Sequence, residues 1–384
     1  MHKWSVFSAL IKFLLKNFTS KYGKHSCKRV VMSIYVLGAG GVGTLVATAL
    51  TNSFKVNFIV RNASKIECLK LTDNTFEIKR LYNQGEVLKY KINAAFTVDS
   101  LADEKIEFLL VCVKTFDTVA SLTPLLNKIN EKTRILLIQN GMGVVDELYE
   151  KVWKDEKSRP IIYQGVISHG VWQNAENNNT YNYNHAGYGD SKICRIPKVL
   201  SQSEYAVEEE HQLKSDPVIL ALVASDLRVS TYTYSDLLVY QIQKLLVNSC
   251  MNSTTSIINC INYKLENLPG MLKLFTSIVS EGLDILYKAY PNIQESPLAK
   301  ELLTVEKHVA FVQHVGFKIN GKNSTSMRQD VLNCRDTEID YINGHIVKKA
   351  AELGLFAPVA NTICNLVSIR LDVNRRTVAE EGHL

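Results

Sequence analysis

Three polar side chains recur at every fourth position of one apolar stretch: Lys244, Asn248 and Asn252. In a helix this spacing places them on one face. The residues between them are core-like, and a lysine beside a buried face is costly unless a polar group faces it. A substrate carboxylate or carbonyl would be such a group, and the lysine could protonate a developing alkoxide. A solvated stripe without a ligand is the alternative interpretation.

Two further polar residues directly follow predicted strands. Lys114 comes directly after the predicted strand at residues 107–113, which is apolar except for Glu107, and Asn140 comes after Gln139 at the end of the apolar residues 135–138. In an open α/β sheet, the carboxyl ends of the strands line the ligand crevice. We therefore expect Lys114 and Asn140 to lie in one site, although both could be ordinary loop residues.

A glycine-rich turn, Gly38-Ala39-Gly40-Gly41-Val42-Gly43, follows a short apolar run and opens a helix-like stretch. In this setting the first glycine permits a tight turn, and the second lets the backbone approach a pyrophosphate. The third lets the helix pack closely on the strand, and the helix N-terminus favours the phosphate charge. The turn predicts a bound dinucleotide, and a glycine turn without a ligand is the alternative.

The residue after the second predicted strand distinguishes the two nicotinamide dinucleotides. Folds that prefer NAD usually place Asp or Glu there, to hold the ribose 2′-hydroxyl. This chain has Arg61, and a planar guanidinium suits a 2′-phosphate. We therefore expect NADP(H), with NADPH as the reduced cofactor. A plain surface arginine is the alternative.

For these residues to form one site, a sheet must bring the strand ends together and a helix must place Lys244 beside them. Apolar strands alternate with helical stretches in the first half, which predicts an α/β fold with an N-terminal Rossmann-type parallel-sheet domain at residues 32–232. From about Ser235 the period is helical, which predicts an all-helical C-terminal domain at residues 233–384. We expect residues 172–189 to form a hairpin or loop at the sheet edge, and residues 201–216 to form a surface insertion.

The bulk composition limits the class of protein. The chain has 384 residues, 46% of them hydrophobic and 21% charged, which suits a folded protein of two domains. A net charge of +6 does not favour a nucleic-acid partner, and no apolar run is long enough for a membrane span. The 8 cysteines form no CxxC pair. We expect reduced core cysteines in an intracellular protein, with no disulfide framework and no metal site.

Residues 1–31 differ from the rest, because they contain several lysines and no acidic residue. Trp4, Phe7 and Ile11 begin an apolar stripe at helical spacing. A basic amphipathic leader of this kind predicts mitochondrial import. The alternatives are a solvated extension on a cytoplasmic protein, or translation that starts at Met32.

Several motifs of the sequence match one family. They are residues 36–43, Val113-Lys114, Gln139-Asn-Gly-Met-Gly143, Lys244-Leu-Leu-Val-Asn248 with Asn252, and Ser326-Met-Arg-Gln-Asp330 leading to Thr337-Glu-Ile-Asp-Tyr-Ile-Asn-Gly344. From about Met32 to about Arg370 the chain resembles ketopantoate reductase, or 2-dehydropantoate 2-reductase. The resemblance implies a cleft between a Rossmann domain and a helical domain. It also implies NADPH-dependent reduction of ketopantoate to pantoate, a step towards pantothenate and coenzyme A.

The resemblance further implies roles for single residues. Lys244 is then the proton donor to the C2 carbonyl that receives hydride, and Glu338 is its partner near the nicotinamide ribose. Asn140 lies near both nicotinamide and substrate, while Lys114 and the Val171 backbone lie at the cofactor. The positions that hold the substrate hydroxyl and carboxylate are Asn248, Asn252, Asn262 and Ser326.

Two other functions stay open. An enzyme with this fold could reduce a different 2-oxo acid or an imine, because the polar residues indicate a bound carbonyl more clearly than they indicate the side chain of the substrate. A non-enzymatic organellar regulatory or RNA-associated protein is the other alternative. Such a protein would be expected to lose Lys244, Glu338 or the glycines, all of which are present. We expect a small-molecule substrate, and either a monomer or a homodimer.

Overall fold

The computed structural model describes residues 32–174, 181–200, 207–294 and 296–383. The predicted leader at residues 1–31, including Cys27, lies outside the described residues. Residues Ser33–Leu384 form one compact unit, in which strands and helices alternate first and helices alone follow.

The strands lie in the first part of the chain and form two sheets. They are β1 Ser33–Leu37, β2 Lys55–Ile59, β3 Thr75–Arg80, β4 Glu86–Lys91, β5 Ala94–Phe96, β6 Phe108–Val111, β7 Arg134–Ile138, β8 Ile161–Ile167, β9 Gly170–Gln173, β10 Asn182–Gly187, β11 Ser191–Arg195 and β12 Val229–Thr231.

The first sheet has eight strands in the order β12-β11-β8-β7-β6-β1-β2-β5. The five neighbouring strands β8, β7, β6, β1 and β2 are parallel, and β11 joins β8 in the antiparallel direction. All four residues of β6 are fully buried, from Phe108 to Val111, because helices cover both faces of a parallel sheet. The sheet therefore gathers the carboxyl ends of β1, β2, β6, β7 and β8 along one edge.

The second sheet has four strands in the order β4-β3-β10-β9. The hairpin of β3 and β4 was not predicted, since residues 75–91 carry only a weak alternation around a polar turn. Residues 172–189 were predicted as a hairpin at the edge of the main sheet. They do contain β10 and the end of β9, which pair in the antiparallel direction, but this pair belongs to the second sheet, because β10 pairs with β3. Residues 175–180 lie outside the description.

The α-helices are listed here in chain order. They are α1 Gly41–Thr48, α2 Ala63–Leu71, α3 Thr118–Leu122, α4 Val144–Lys151, α5 Val207–Ser215, α6 Pro217–Val223, α7 Tyr234–Ile258, α8 Pro269–Ala289, α9 Pro297–Leu302, α10 Val305–Gln313, α11 Ser326–Leu332, α12 Asn343–Glu352 and α13 Pro358–Glu381. A π-helical segment, His314–Ile319, follows α10.

The predicted surface insertion at residues 201–216 is wrong at its C-terminal end. Leu213 in α5 is only 1% exposed and Asp216 only 6%. Asp216 caps α6 by accepting a hydrogen bond from the Val218 amide at 2.8 Å, and it pairs with Arg134 at 3.2 Å. A carboxylate with a cap and an ion pair can be buried at little cost, which polarity alone does not reveal. Residues 201–206 lie outside the description.

From Tyr234 onwards every regular element that the structure describes is helical, as predicted. The predicted fold class, a Rossmann-type parallel sheet followed by helices, is confirmed. Among the described residues, no helix combines the length and apolarity of a membrane span. Within the same residues, the cysteines are free, and Cys194 and Cys250 are buried while the others are partly exposed. Cys194 and Cys250 thus lie in the core as expected, and Cys260 and Cys364 pack against it.

Candidate active site

The glycine turn after β1 is packed so closely that larger residues would not fit. Gly38 has φ +93°, and a Cβ atom there would lie 2.5 Å from the Val113 amide nitrogen. A Cβ atom at Gly43 would lie 2.2 Å from the Gly38 carbonyl oxygen, and one at Gly41 would lie 2.9 Å from the Val171 carbonyl oxygen. The predicted cofactor residues of the turn and Val171 are thus in contact.

Gly40 differs from the other glycines of the turn, because among the described residues no heavy atom beyond its own chain neighbours lies within 4 Å of where its Cβ would be. It is the N-cap of α1, whose first turn carries no acidic side chain and receives no side-chain cap. The free amide groups of a helix N-terminus attract anions. The open backbone at Gly40 therefore fits the pyrophosphate of a dinucleotide.

Arg61 follows β2, at the same edge of the sheet. Its side chain is 77% exposed, and its guanidinium pairs with Asp117 at 2.8 Å. Asp117 belongs to the short 3₁₀ turn Thr115–Asp117 that follows β6. The guanidinium is therefore accessible to a ligand beside the glycine turn, although it already has an anionic neighbour.

Lys244 extends from the middle of α7 to the carboxyl ends of two strands. Its Nζ donates hydrogen bonds to the Ile167 carbonyl at 2.6 Å and to Asn140 Oδ1 at 3.0 Å. Burial lowers the pKa of Lys244 to about 8, although the negative charge of Glu338 acts in the opposite direction. An ammonium group with a pKa near neutrality is suited to general acid catalysis.

Hydrogen bonds connect Glu338 to Lys244 through Asn140. The Asn140 amide donates to Glu338 Oε2 at 3.2 Å while its carbonyl oxygen accepts from Lys244. Glu338 is 5% exposed, and Thr115 lies beside its other oxygen, with the hydroxyl at 3.3 Å. The resemblance implied that Glu338 is the partner of Lys244. The structure links the two side chains through Asn140, because an amide can donate to a carboxylate and accept from an ammonium at the same time, and the charge of Glu338 still acts on Lys244.

Lys114 is the cation that pairs directly with Glu338, at 3.6 Å. It also pairs with Asp330 at 2.7 Å, and Asp330 in turn binds Arg335 at 3.0 Å. Burial alone would lower the pKa of Lys114, but the charges of Glu338 and Asp330 raise it above its ordinary value. Lys114 is therefore a fixed positive charge beside the site.

The loop that carries Asn140 packs tightly on the loop that carries Glu338. Gly141 has φ +77°, and a Cβ atom there would lie 2.5 Å from the Tyr341 carbonyl oxygen. That carbonyl accepts from the Met142 amide at 2.9 Å, and the Tyr341 hydroxyl donates to Glu147 at 2.6 Å. These contacts fix the distance between Asn140 and Glu338.

The predicted substrate residues are less closely connected. Asn248 and Asn252 lie one and two turns beyond Lys244 on α7, and within the described residues their side-chain amides have no hydrogen-bond partner. Ser326 is exposed at the start of α11, next to Thr325, which contacts Thr255 of α7 at 2.7 Å.

Asn262 lies beyond the C-terminus of α7, in the short turn Asn262–Leu265. Its amide donates to the Asn320 carbonyl at 3.0 Å, while its buried Oδ1 accepts no hydrogen bond from the part of the chain that is described. The structure thus joins Lys114, Glu338, Asn140 and Lys244 in one series of contacts. It shows no such contact from these four to Asn262 or Ser326.

Three participants were not singled out from the sequence. Thr115 follows Lys114 directly, and Asp330 stands in the quoted polar segment, so both had a sequence signal. The Ile167 carbonyl had none, since any residue type could supply it.

The parallel sheet carries a glycine turn at a helix N-terminus, and a partly buried lysine lies beside the same sheet edge. This arrangement is typical of a dinucleotide-dependent oxidoreductase. The sequence matches "Ketopantoate reductase PanE/ApbA" over residues 34–198 and "Ketopantoate reductase PanE/ApbA C terminal" over residues 236–370. The chain therefore belongs to the ketopantoate reductase family.

Curated relatives agree with this assignment. The chain is 36% identical over 348 residues to a probable 2-dehydropantoate 2-reductase of Schizosaccharomyces pombe. The matched region covers 89% of this chain and 97% of that protein. The chain is 35% identical over 367 residues to the 2-dehydropantoate 2-reductase of Saccharomyces cerevisiae, covering 89% and 95%.

A solved structure, the ternary complex of D-mandelate dehydrogenase with NADH and anilino(oxo)acetate, has the same fold. It superimposes with a TM-score of 0.71 at 20% identity, over 90% of this chain and 99% of that chain.

Proposed function

We propose that this protein is an NADPH-dependent 2-dehydropantoate 2-reductase, which reduces ketopantoate to pantoate. The observation that carries the proposal is the position of Lys244, whose ammonium group is held by Asn140 and the Ile167 carbonyl at the sheet edge that also bears the glycine turn. Membership of the family and the relatives from two yeasts support the same activity.

The chain offers a suitable place for the dinucleotide. The open backbone at Gly40 and the N-terminus of α1 fit the pyrophosphate. The exposed Arg61 fits a 2′-phosphate, and we propose Lys114, Asn140, Val171 and Glu338 as further cofactor residues. When bound, the nicotinamide supplies the hydride that reduces a 2-oxo acid to a 2-hydroxy acid.

Lys244 supplies the proton in this proposal. Negative charge develops on the C2 carbonyl oxygen during reduction, and an ammonium group close to that oxygen stabilises the charge and gives its proton. Asn140 and the Ile167 carbonyl orient the ammonium, since each accepts one of its three hydrogens. The third hydrogen remains for the substrate.

The other polar residues of the helical part would hold the substrate. The free amides of Asn248 and Asn252 line the same helix face as Lys244, where they suit a hydroxyl and a carboxylate. Ser326 and the unpartnered oxygen of Asn262 are proposed for the same task.

The direct test is an assay of the purified protein, beginning at Met32, with NADPH and ketopantoate. Oxidation of NADPH that depends on ketopantoate, with pantoate as product, is the expected result. Binding of NADPH without any turnover of ketopantoate would contradict the proposed substrate.

A reductase of another 2-oxo acid is the second candidate, because D-mandelate dehydrogenase shares the fold. A panel of branched and aromatic 2-oxo acids, compared by kcat/KM with NADPH, separates the two. Ketopantoate is expected to give the highest value, and a clear preference for an aromatic 2-oxo acid would favour the alternative.

The location and assembly of the protein stay predictions. A fluorescent fusion of the full chain, compared with one beginning at Met32, distinguishes mitochondrial from cytoplasmic protein. Light scattering of the purified chain distinguishes a monomer from a homodimer.

A further inference from the structure

The ion pair of Arg61 and Asp117 crosses the edge of the sheet at which the dinucleotide is proposed to bind. In the sheet, β1 lies between β2 and β6. Arg61 follows β2, and Asp117 ends the turn after β6, so the 2.8 Å contact between them joins the loops on either side of β1. The glycine turn starts where β1 ends. Both charges therefore lie beside the same part of a bound cofactor.

The carboxylate of Asp117 has no other structural task in the described part of the chain. Asp117 is the N-cap residue of α3, yet its side chain accepts no capping hydrogen bond. Its backbone is held separately, because its amide donates to the Lys114 carbonyl at 2.9 Å. The side chain is 32% exposed. The carboxylate is therefore positioned in front of the guanidinium and is accessible to a ligand.

The two charges favour opposite forms of the cofactor. A 2′-phosphate is attracted by Arg61 and repelled by a carboxylate that touches the same guanidinium. A ribose 2′-hydroxyl, in contrast, can donate a hydrogen bond to a carboxylate, as it does to the acidic residue of NAD-preferring folds. Arg61 thus favours the phosphorylated dinucleotide, and Asp117 favours the unphosphorylated one.

We propose that Asp117 is a specificity-determining residue that offsets Arg61 and limits the preference for NADPH over NADH. This inference rests on the proposed function, because it assumes that a nicotinamide dinucleotide binds at the glycine turn. Removing the carboxylate charge sharpens the preference for NADPH. Removing the guanidinium abolishes or reverses it.

The test measures the dissociation constants of NADPH and NADH by calorimetry for the wild-type chain, Asp117→Asn and Arg61→Ala. Asp284→Asn is the control, since Asp284 also forms an ion pair at the surface, with Lys288 at 2.9 Å on α8, and its side chain is 64% exposed. It removes the same unit of charge away from the sheet edge. Thermal unfolding of each variant shows that it is folded, and Asp117→Ser repeats the test if Asp117→Asn does not fold.

We expect Asp117→Asn to raise the ratio of the two dissociation constants, NADH over NADPH, by about fivefold at low salt, the size typical of one exposed charge contact. The increase should shrink in high salt, which screens exposed charges. Asp284→Asn should leave the ratio unchanged. A ratio that is unchanged or lower in Asp117→Asn would overturn the inference, because Asp117 would then merely orient Arg61. If the wild-type chain binds neither dinucleotide, the proposed function itself is wrong.

Discussion

At the scale of single residues, the central feature is the row of contacts from Lys244 through Asn140 to Glu338. Asn140 accepts from the ammonium and donates to the carboxylate, so its amide has one possible orientation. Glu338 is thereby kept out of direct contact with Lys244 but still stabilises its charge. A direct ion pair would raise the pKa of the lysine and make it a weaker acid.

Replacement of Lys244 by alanine tests the proposed proton donor. We expect Lys244→Ala to lower kcat by about 10²–10⁴-fold, the usual contribution of general acid catalysis. NADPH affinity should change much less. Lys288→Ala, at an exposed lysine of α8, is the control. A Lys244→Ala variant with nearly normal kcat would remove Lys244 from the mechanism.

The pH dependence of reduction tests the environment of Lys244. Its pKa is about 8, and a proton donor must be protonated, so the rate should fall as the pH rises through about 8. Glu338→Gln removes a negative charge that raises this pKa. The fall should therefore move to lower pH in the variant. Asp190 and Lys192 also influence the pKa, in opposite directions, and both are unchanged in the variant. An unshifted profile would show that Glu338 does not act on Lys244.

At the scale of elements, the site depends on two loops that the sheet and the helices bring together. The loop after β7 carries Asn140, and the loop before α12 carries Glu338. They touch through Gly141 and Tyr341, at a distance that admits no Cβ atom. The strand end fixes one loop and the helix fixes the other, so neither element can shift without separating Asn140 from Glu338.

Replacement of Gly141 by alanine tests this packing. The added Cβ would collide with the Tyr341 carbonyl, and φ +77° is unfavourable for alanine. We expect Gly141→Ala to lower the rate of reduction strongly and the free energy of unfolding by about 1–3 kcal/mol. Gly354→Ala is the matched control, because Gly354 has φ +69° with open space around its Cβ position. Equal activity losses in both variants would contradict a role for the contact.

At the scale of the whole molecule, several buried histidines make the fold sensitive to acid. Burial lowers the pKa of His308 and of His185 to about 4, and that of His345 to about 3. In an unfolded chain the pKa of a histidine is about 6.5. Between these values the unfolded state binds more protons than the folded state, so the free energy of unfolding decreases as the pH falls from about 6.5 towards 4.

His308 offers a specific test of this acid sensitivity. It is fully buried in α10, and neither ring nitrogen has a hydrogen-bond partner in the described part of the chain. His308→Leu removes an imidazole that must stay neutral. The loss of thermal stability between pH 7 and pH 5 should therefore be smaller in the variant than in the wild type. An identical loss in both proteins would show that His308 does not contribute.

Much of the fold was predictable because it follows from local patterns. Runs of apolar residues that stop at glycine, such as the one before Gly38, predict buried strands, and β1, β2, β6 and β7 lie where they were predicted. The second sheet was not predictable in the same way. Its β10 pairs with β3 across about a hundred residues of sequence, and such a pairing leaves no local periodicity. The burial of Asp216 was missed for a similar reason, since its partner Arg134 is distant in sequence.

By itself, the sequence determined the glycine turn, the alternation of strands and helices, and the helix face that carries Lys244. It also determined the family, because the spacing of the motifs is a property of the chain. The tertiary structure alone decided which polar groups touch. Asn140 and Glu338 are separated by 198 positions, yet they share a hydrogen bond, and Arg61 pairs with Asp117 while its side chain stays exposed. The physical reason is that hydrogen bonds and ion pairs act over a few ångströms. Their partners are therefore set by how strands and helices pack, and the order of residues does not record that packing.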